Sequence, residues 1–203
     1  MISTKDKILT EALSLFSQKG FEAVSTSDIA GKLGLTKGAL YRHFENKRKI
    51  FEAILQKMEA EDAEAAKRFS LPEKDIESAP EEYARASVRA LLDFSRHQFD
   101  FWTRNSFAVK FRRMLAIERF RSKASEEMFQ QYLGAGPFSY TADIFRSLGF
   151  RNPKKLALDY FAPMFFLYNL SDNASEKSEA QELFDSHIHE MEKILDEQMQ
   201  NSK

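Results

Sequence analysis

Between Ser25 and Lys47 the chain reads STSDIAGKLGLTKGALYRHFENK, with helix start and stop signals too closely spaced for anything but short helices. Ser25, with Asp28 three residues on, has the form of a capping box. Ile29 and Leu33 follow at helical spacing, and Gly34 suits the left-handed backbone that ends a helix. Thr36 caps a second helix in which Leu40 and Phe44 share one apolar face. Thr36, Lys37, Gly38, Tyr41, Arg42 and His43 then face outward, all of them polar, cationic or small. Asn46 caps a third helix that begins at Lys47. Two short helices across a glycine turn, the second with a cationic outer face, read as a helix-turn-helix built to enter a DNA major groove.

The pattern resembles the signature of the TetR (tetracycline-repressor) family of bacterial one-component regulators. The residues that carry the likeness are Ile29-Ala30, Gly34, Leu40-Tyr41-Arg42-His43-Phe44 and Lys47. They are preceded by an apolar stripe, Ile8, Ala12, Leu13, Leu15 and Phe16, that ends at Gly20-Phe21. The likeness covers a quarter of the chain, and beyond it only the general plan of the family is recognisable. Gly31 departs from a good helix sequence and costs about 1 kcal/mol relative to Ala. The resemblance implies phosphate contacts at the positions of Tyr41, His43 and Lys47, and a homodimer formed through the last two helices.

The remainder of the sequence agrees with a helical protein. Seven glycines and five prolines in 203 residues are few, and apolar residues recur at three and four. The spacing predicts helices near 4–19, 26–33, 37–43, 47–69, 80–98, 104–121, 124–147, 153–171 and 177–199. Within the seventh, Gly134-Ala135-Gly136-Pro137 breaks or kinks the helix. Gly149 ends it, and Asn152-Pro153 opens the next as N-cap and first residue. The expected fold is all-α: a three-helix head over residues 1–48, then a larger body over 49–203 for effector binding and dimerisation, about nine helices together.

Charge is uneven. Residues 1–50 hold nine Lys/Arg against five Asp/Glu, on a chain whose net charge is −1, so a basic head sits on an acidic body. Absence of cysteine excludes disulfides, thiolate metal sites and Cys nucleophiles. The densest apolar run, Leu156 to Leu170, is interrupted by Asp159, Pro163 and Asn169, short of the roughly 20 apolar residues of a membrane span. The N-terminal residues show no apolar export segment, and the expected location is cytoplasmic, with no membrane partner. His187 and His189 lie two apart on a helix, so their rings diverge and metal binding is not expected. There is no phosphate-binding glycine loop, nucleophile elbow or metalloprotease pair. No cofactor and no catalytic residue is expected.

The residues assigned to double-stranded DNA are Ser25, Thr26, Ser27, Thr36, Lys37, Gly38, Ala39, Tyr41, Arg42, His43 and Lys47. Lys37 and Arg42 are the candidate base readers, Arg being able to pair bidentately with guanine. Gly38 and Ala39 let the helix approach closely. Tyr41 and His43 suit the sugar-phosphate backbone, and the hydroxyls of Ser25, Thr26 and Ser27 sit where free helix N–H groups favour a phosphate. Each has a plainer alternative: Tyr41 packing beneath the head, His43 capping local backbone, Arg48 and Lys49 forming a solvated face.

The body holds most of the nineteen phenylalanines. Trp102, Phe107, Phe111, Phe138, Tyr140, Phe165 and Tyr168 are the candidates for lining an apolar effector pocket, although aromatic stripes at helical spacing serve equally as core or interface. Helix 153–171 is apolar nearly all round, and Pro163 is expected to kink it. Helix 177–199 carries Leu183, Phe184, His187, Ile188, Met191, Ile194 and Leu195 on one side. Two such helices from each of two chains would form a four-helix bundle. The sequence therefore predicts a homodimeric repressor, bound to an inverted-repeat operator and released by an unidentified hydrophobic or aromatic small molecule. The alternative is a hydrophobic-ligand carrier whose head does not bind DNA.

Overall fold

In a computed structural model, residues 3–73 and 75–200 are described. They form eleven α-helices and one 3-10 turn, and the described residues contain no strand. The helices are α1 (Thr4–Lys19), α2 (Thr26–Lys32), α3 (Lys37–Tyr41), α4 (Lys47–Arg68), α5 (Pro80–Arg85), α6 (Val88–Arg104), α7 (Ser106–Glu118), α8 (Lys123–Leu133), α9 (Ala135–Ser147), α10 (Pro153–Leu170) and α11 (Lys177–Gln200). The all-α expectation is met, and eleven helices replace the nine expected.

The difference has local causes. The expected helix 80–98 divides because Ser87 caps α6: its side chain accepts from the Ala90 N–H at 3.1 Å and its carbonyl from the Leu91 N–H at 3.0 Å. The expected helix 124–147 divides at Gly134, where the Gln130 side chain accepts from the Ala135 N–H. At the start of α10, Asn152 makes no side-chain cap. It sits in the left-handed region at φ 50°, and only its carbonyl opens the helix, accepting from the Leu156 N–H. Asn tolerates that conformation better than most residues. α10 then continues through Pro163 as one 18-residue helix.

The chain divides into two compact units, Met1–Asp62 with Arg104–Phe129, and Ala63–Thr103 with Gln130–Lys203. In the first unit α1 packs against α2 and α7. The predicted stripe of α1 is its core face, with Ile8, Ala12, Leu13 and Phe16 fully buried. Ile50, Ile54 and Met58 of α4 and Phe111 and Met114 of α7 are equally enclosed. An aromatic cluster closes one end, Phe21 lying edge-on between Phe16 at 5.2 Å and Phe51 at 5.1 Å.

In the second unit α10 packs between α9 and α11. Phe99 stacks on Phe184 with centroids 4.0 Å apart and on Tyr168 at 5.6 Å. The buried Tyr160 hydroxyl donates to the Ser95 hydroxyl at 2.8 Å, and burial raises its pKa. His187 makes a 2.8 Å hydrogen bond with the Tyr160 carbonyl, while His189 lies exposed.

Candidate nucleic-acid interface

The geometry of the head follows from short-range signals. Ser25 and Asp28 form the predicted capping box: the Asp28 N–H donates to the Ser25 hydroxyl oxygen at 3.1 Å, and the Ser25 N–H to the Asp28 carboxylate at 2.8 Å. The Ser25 hydroxyl, which donates to that carboxylate, and then the Ser25 N–H hold the Asp28 carboxyl below its ordinary pKa. Gly34 adopts φ 63°, and the Leu35 N–H reaches back to the Ala30 carbonyl at 2.9 Å, which closes α2 and turns the chain. Thr36 accepts from the Ala39 N–H at 3.1 Å and opens α3. Leu40, fully buried, and Phe44 anchor α3 from below. α3 is shorter than predicted: after Tyr41 the His43 N–H bonds to the Leu40 carbonyl in a tightened turn. Asn46 caps α4 as expected, accepting from the Lys49 N–H at 3.0 Å.

Most of the predicted DNA-facing residues are open to solvent in this scaffold. Lys37, Gly38, Tyr41, Arg42 and His43 are exposed, as are Ser25, Ser27 and Thr36, while Thr26 and Ala39 are half-buried. The Tyr41 hydroxyl lies 3.3 Å from that of Thr26, joining the start of α2 to α3. The Lys37 ammonium sits 5.8 Å from the centre of the Tyr41 ring. The Ser25 hydroxyl is already engaged, donating to Asp28 at 2.6 Å.

Lys47 is placed differently from the others. Its ammonium donates to the carbonyls of Phe21 at 2.7 Å and Glu22 at 3.2 Å, and lies 4.3 Å from the centre of the Phe21 ring. Two of its three N–H groups thus hold the turn between α1 and α2. The same turn is held from the other side by Glu118 of α7, which is buried and accepts from the Phe21 N–H at 2.9 Å. Glu118 has no sequence signal: it lies 97 residues from its partner, in a helix with no motif of its own.

The seven candidate effector residues do not share one unit. Phe107 and Phe111 belong to the first, where Phe111 is fully buried and Lys57 lies over the Phe107 ring. Trp102, Phe138, Tyr140, Phe165 and Tyr168 belong to the second. There Trp102 packs edge-on against Phe101, and Tyr168 lies in the Phe99 stack. Tyr140 donates to the Pro72 carbonyl at 2.9 Å beside Tyr83 and Phe94. Burial raises the pKa of both tyrosines, that of Tyr83 to about 12. Phe138 and Phe165 are half-buried.

The first unit is thus that of a helix-turn-helix protein, with a short cationic helix presented outward and braced from behind. Residues 8–54 match the model of the bacterial regulatory proteins, tetR family. Over 48 residues the chain is 44% identical to the biofilm operon icaADBC HTH-type negative transcriptional regulator IcaR of Staphylococcus aureus (strain Newman), a match to 24% of this chain and 26% of IcaR. Over 51 residues it is 45% identical to the transposon Tn10 TetC protein of Escherichia coli, with 25% and 26% covered. The match thus spans about a quarter of the length of these curated relatives. Over nearly the whole chain the fold is similar to that of SmeT, the repressor of the Stenotrophomonas maltophilia multidrug efflux pump SmeDEF. The TM-score is 0.60 at 19% identity, with 93% of this chain and 88% of SmeT covered. The sequence likeness to the TetR family is thus that of residues 8–54.

Proposed function

We propose that the chain is a homodimeric transcriptional repressor that binds an inverted-repeat operator and is released by a hydrophobic or aromatic small molecule. The observation that carries the DNA-binding part is the exposed set Lys37, Tyr41, Arg42 and His43 on α3 and the turn that follows it, with Leu40 and Phe44 buried beneath. An unpaired cationic face on a rigid base suits the major groove, where phosphate contacts supply affinity and base edges supply specificity. Lys37 and Arg42 read bases, while Thr26, Ser27, Thr36, Tyr41 and His43 contact the backbone. Gly38 and Ala39 give close approach, and Lys47 holds the turn and retains one N–H for a phosphate. Ser25 acts through its cap.

Dimerisation has support in α10 and α11, which leave Leu158 at 50%, Phe166 at 62% and Leu183 at 45% exposure. Large apolar side chains so exposed on two adjacent helices suit a two-fold bundle. Two heads would then occupy half-sites roughly 34–36 Å apart, or a multiple of that. IcaR is named a negative regulator and SmeT a repressor, which favours repression, and SmeT was also solved in complex with triclosan. No helix among the described residues is long and apolar enough to cross a membrane, in keeping with a cytoplasmic place of action.

Selection of random duplex DNA by the purified protein at two salt concentrations tests the reading. The expected result is one inverted repeat, with affinity falling steeply as salt rises. Lys37→Ala with Arg42→Ala should weaken specific binding by about 2–6 kcal/mol, at about 1–3 kcal/mol for each base contact, and leave the oligomeric state unchanged. Operator affinity that survives the double substitution would remove the assignment of α3. The second reading, a hydrophobic-ligand carrier with a silent head, predicts no enriched sequence at all.

A further inference from the structure

The first unit contains a cavity of about 410 Å³ that none of the aromatic effector candidates lines. Its size falls within the range of about 300–1,000 Å³ common to small-molecule sites. Phe51, Met114, Leu115 and Met128 supply an apolar floor, and the guanidinium groups of Arg48 and Arg121 stand at the rim.

The two arginines are engaged in the same limited way. Arg48 contacts Glu52 through Nε at 3.4 Å, and Arg121 contacts Glu118 through Nε at 3.2 Å. In each case the terminal pair of NH2 groups, the fork that matches a carboxylate bidentately, is left outside the ion pair. The Arg48–Glu52 pair is exposed and weak, and the Arg48 guanidinium lies over the Phe51 ring, 5.7 Å from its centre. Arg121 is held more firmly, its partner Glu118 being buried, so an anion meets the outer face of each guanidinium with its ion pair kept. Glu118 is fixed in turn by the Phe21 N–H. The Ser122 and Ser125 hydroxyls also line the cavity, 2.9 Å apart, so one of their two protons bridges them and the other is available to a ligand oxygen. Glu22 and Glu118 also line the cavity and would oppose a second negative charge.

We infer that this cavity binds a small monocarboxylate with an apolar body, its carboxylate held by Arg48 and Arg121 and its body lying on Phe51, Met114 and Met128. Its service as the effector site rests on the regulatory reading above. Phe21 and Glu22 form part of the wall, and their carbonyls are those that hold Lys47. An occupant therefore presses on the turn that sets α1 against α2.

Calorimetric titration of the full chain with 2-naphthoate, and with uncharged 2-naphthalenemethanol, tests the inference without DNA. The expected result is naphthoate binding at least tenfold tighter than the alcohol. Arg48→Gln with Arg121→Gln should abolish that preference. Ser125→Trp, which fills the cavity, should weaken both ligands at least tenfold, and Ala124→Trp at an exposed neighbouring position serves the same end should the first variant misfold. No naphthoate binding at millimolar concentration, or binding indifferent to the arginine pair or to the filling variants, would overturn the site. Absence of naphthoate binding in the unsubstituted protein, with operator selection intact, rejects this site alone. Naphthoate binding that follows the predicted pattern in a protein that selects no DNA supports the site and rejects the regulatory reading.

Discussion

Replacing Lys47 with methionine separates a structural duty from a DNA-binding one. Methionine keeps much of the apolar stem and removes the ammonium, which holds the Phe21 and Glu22 carbonyls and lies over the Phe21 ring. A hydrogen bond to a charged group contributes about 1.5–3 kcal/mol, and the cation–ring contact about 0.5–2 kcal/mol. Lys47 is half-buried and Glu22 is exposed, so water takes over part of what is lost. The net destabilisation expected is about 2–3 kcal/mol, roughly one full charge-assisted bond plus a fraction of the rest. In a chain of this length each kcal/mol shifts Tm by about 2–4 °C, so thermal unfolding followed by circular dichroism should show a fall of about 4–12 °C. DNA affinity measured against salt supplies the second readout. A phosphate contact at Lys47 contributes about 0.9 to the slope of log affinity on log salt. An unchanged Tm with the slope reduced by that amount would refute the bracing role and make Lys47 a phosphate contact alone.

Three further outcomes are expected. Gly31→Ala, at an exposed helical position with open space around it, should stabilise the protein by about 1 kcal/mol, read as a rise in Tm. The Asp28 carboxyl titrates below its ordinary 3.8 because of Ser25, so the capping box contributes stability above the unfolded carboxylate pKa and loses it as pH falls through the folded value. Ser25→Ala should bring the Asp28 pKa, followed by carboxyl NMR, back toward 3.8. Tyr160→Phe leaves the buried Ser95 hydroxyl without its 2.8 Å partner and should cost about 1–3 kcal/mol in chemical unfolding.

What was legible in the sequence was what a few adjacent residues decide. The Ser25–Asp28 box, the Gly34 turn and the Thr36 and Asn46 caps all act over three to five positions, and the structure has them as read. The same local chemistry misled where two signals competed. Ser87 was passed over inside a good apolar period, yet its side chain opens a new helix there. Asn152 stands at the N-cap position read for it, with Pro153 next, but in left-handed backbone and without a side-chain cap. Long-range partners were beyond reach. Nothing near Glu118 marks it as the acceptor for Phe21, and nothing in the spacing of seven aromatic residues shows that they divide between two units.

The first unit is assembled from two separate stretches of chain, with α7 lying along α1 and Glu118 closing on Phe21. That arrangement limits how such proteins can be recombined. A head transplanted as residues 1–62 alone would leave its donor's α7 behind and expose the buried stripe of Ile8, Leu13 and Phe16 to a stranger's helix. Exchange of specificity between relatives should succeed at the outward residues of α3 or with residues 104–129 carried along, and fail at the cut that the motif boundary suggests. Gly20 records the same constraint in one position. A side chain there would begin 2.6 Å from the Glu118 carboxylate, so the turn and the distant helix can change only together.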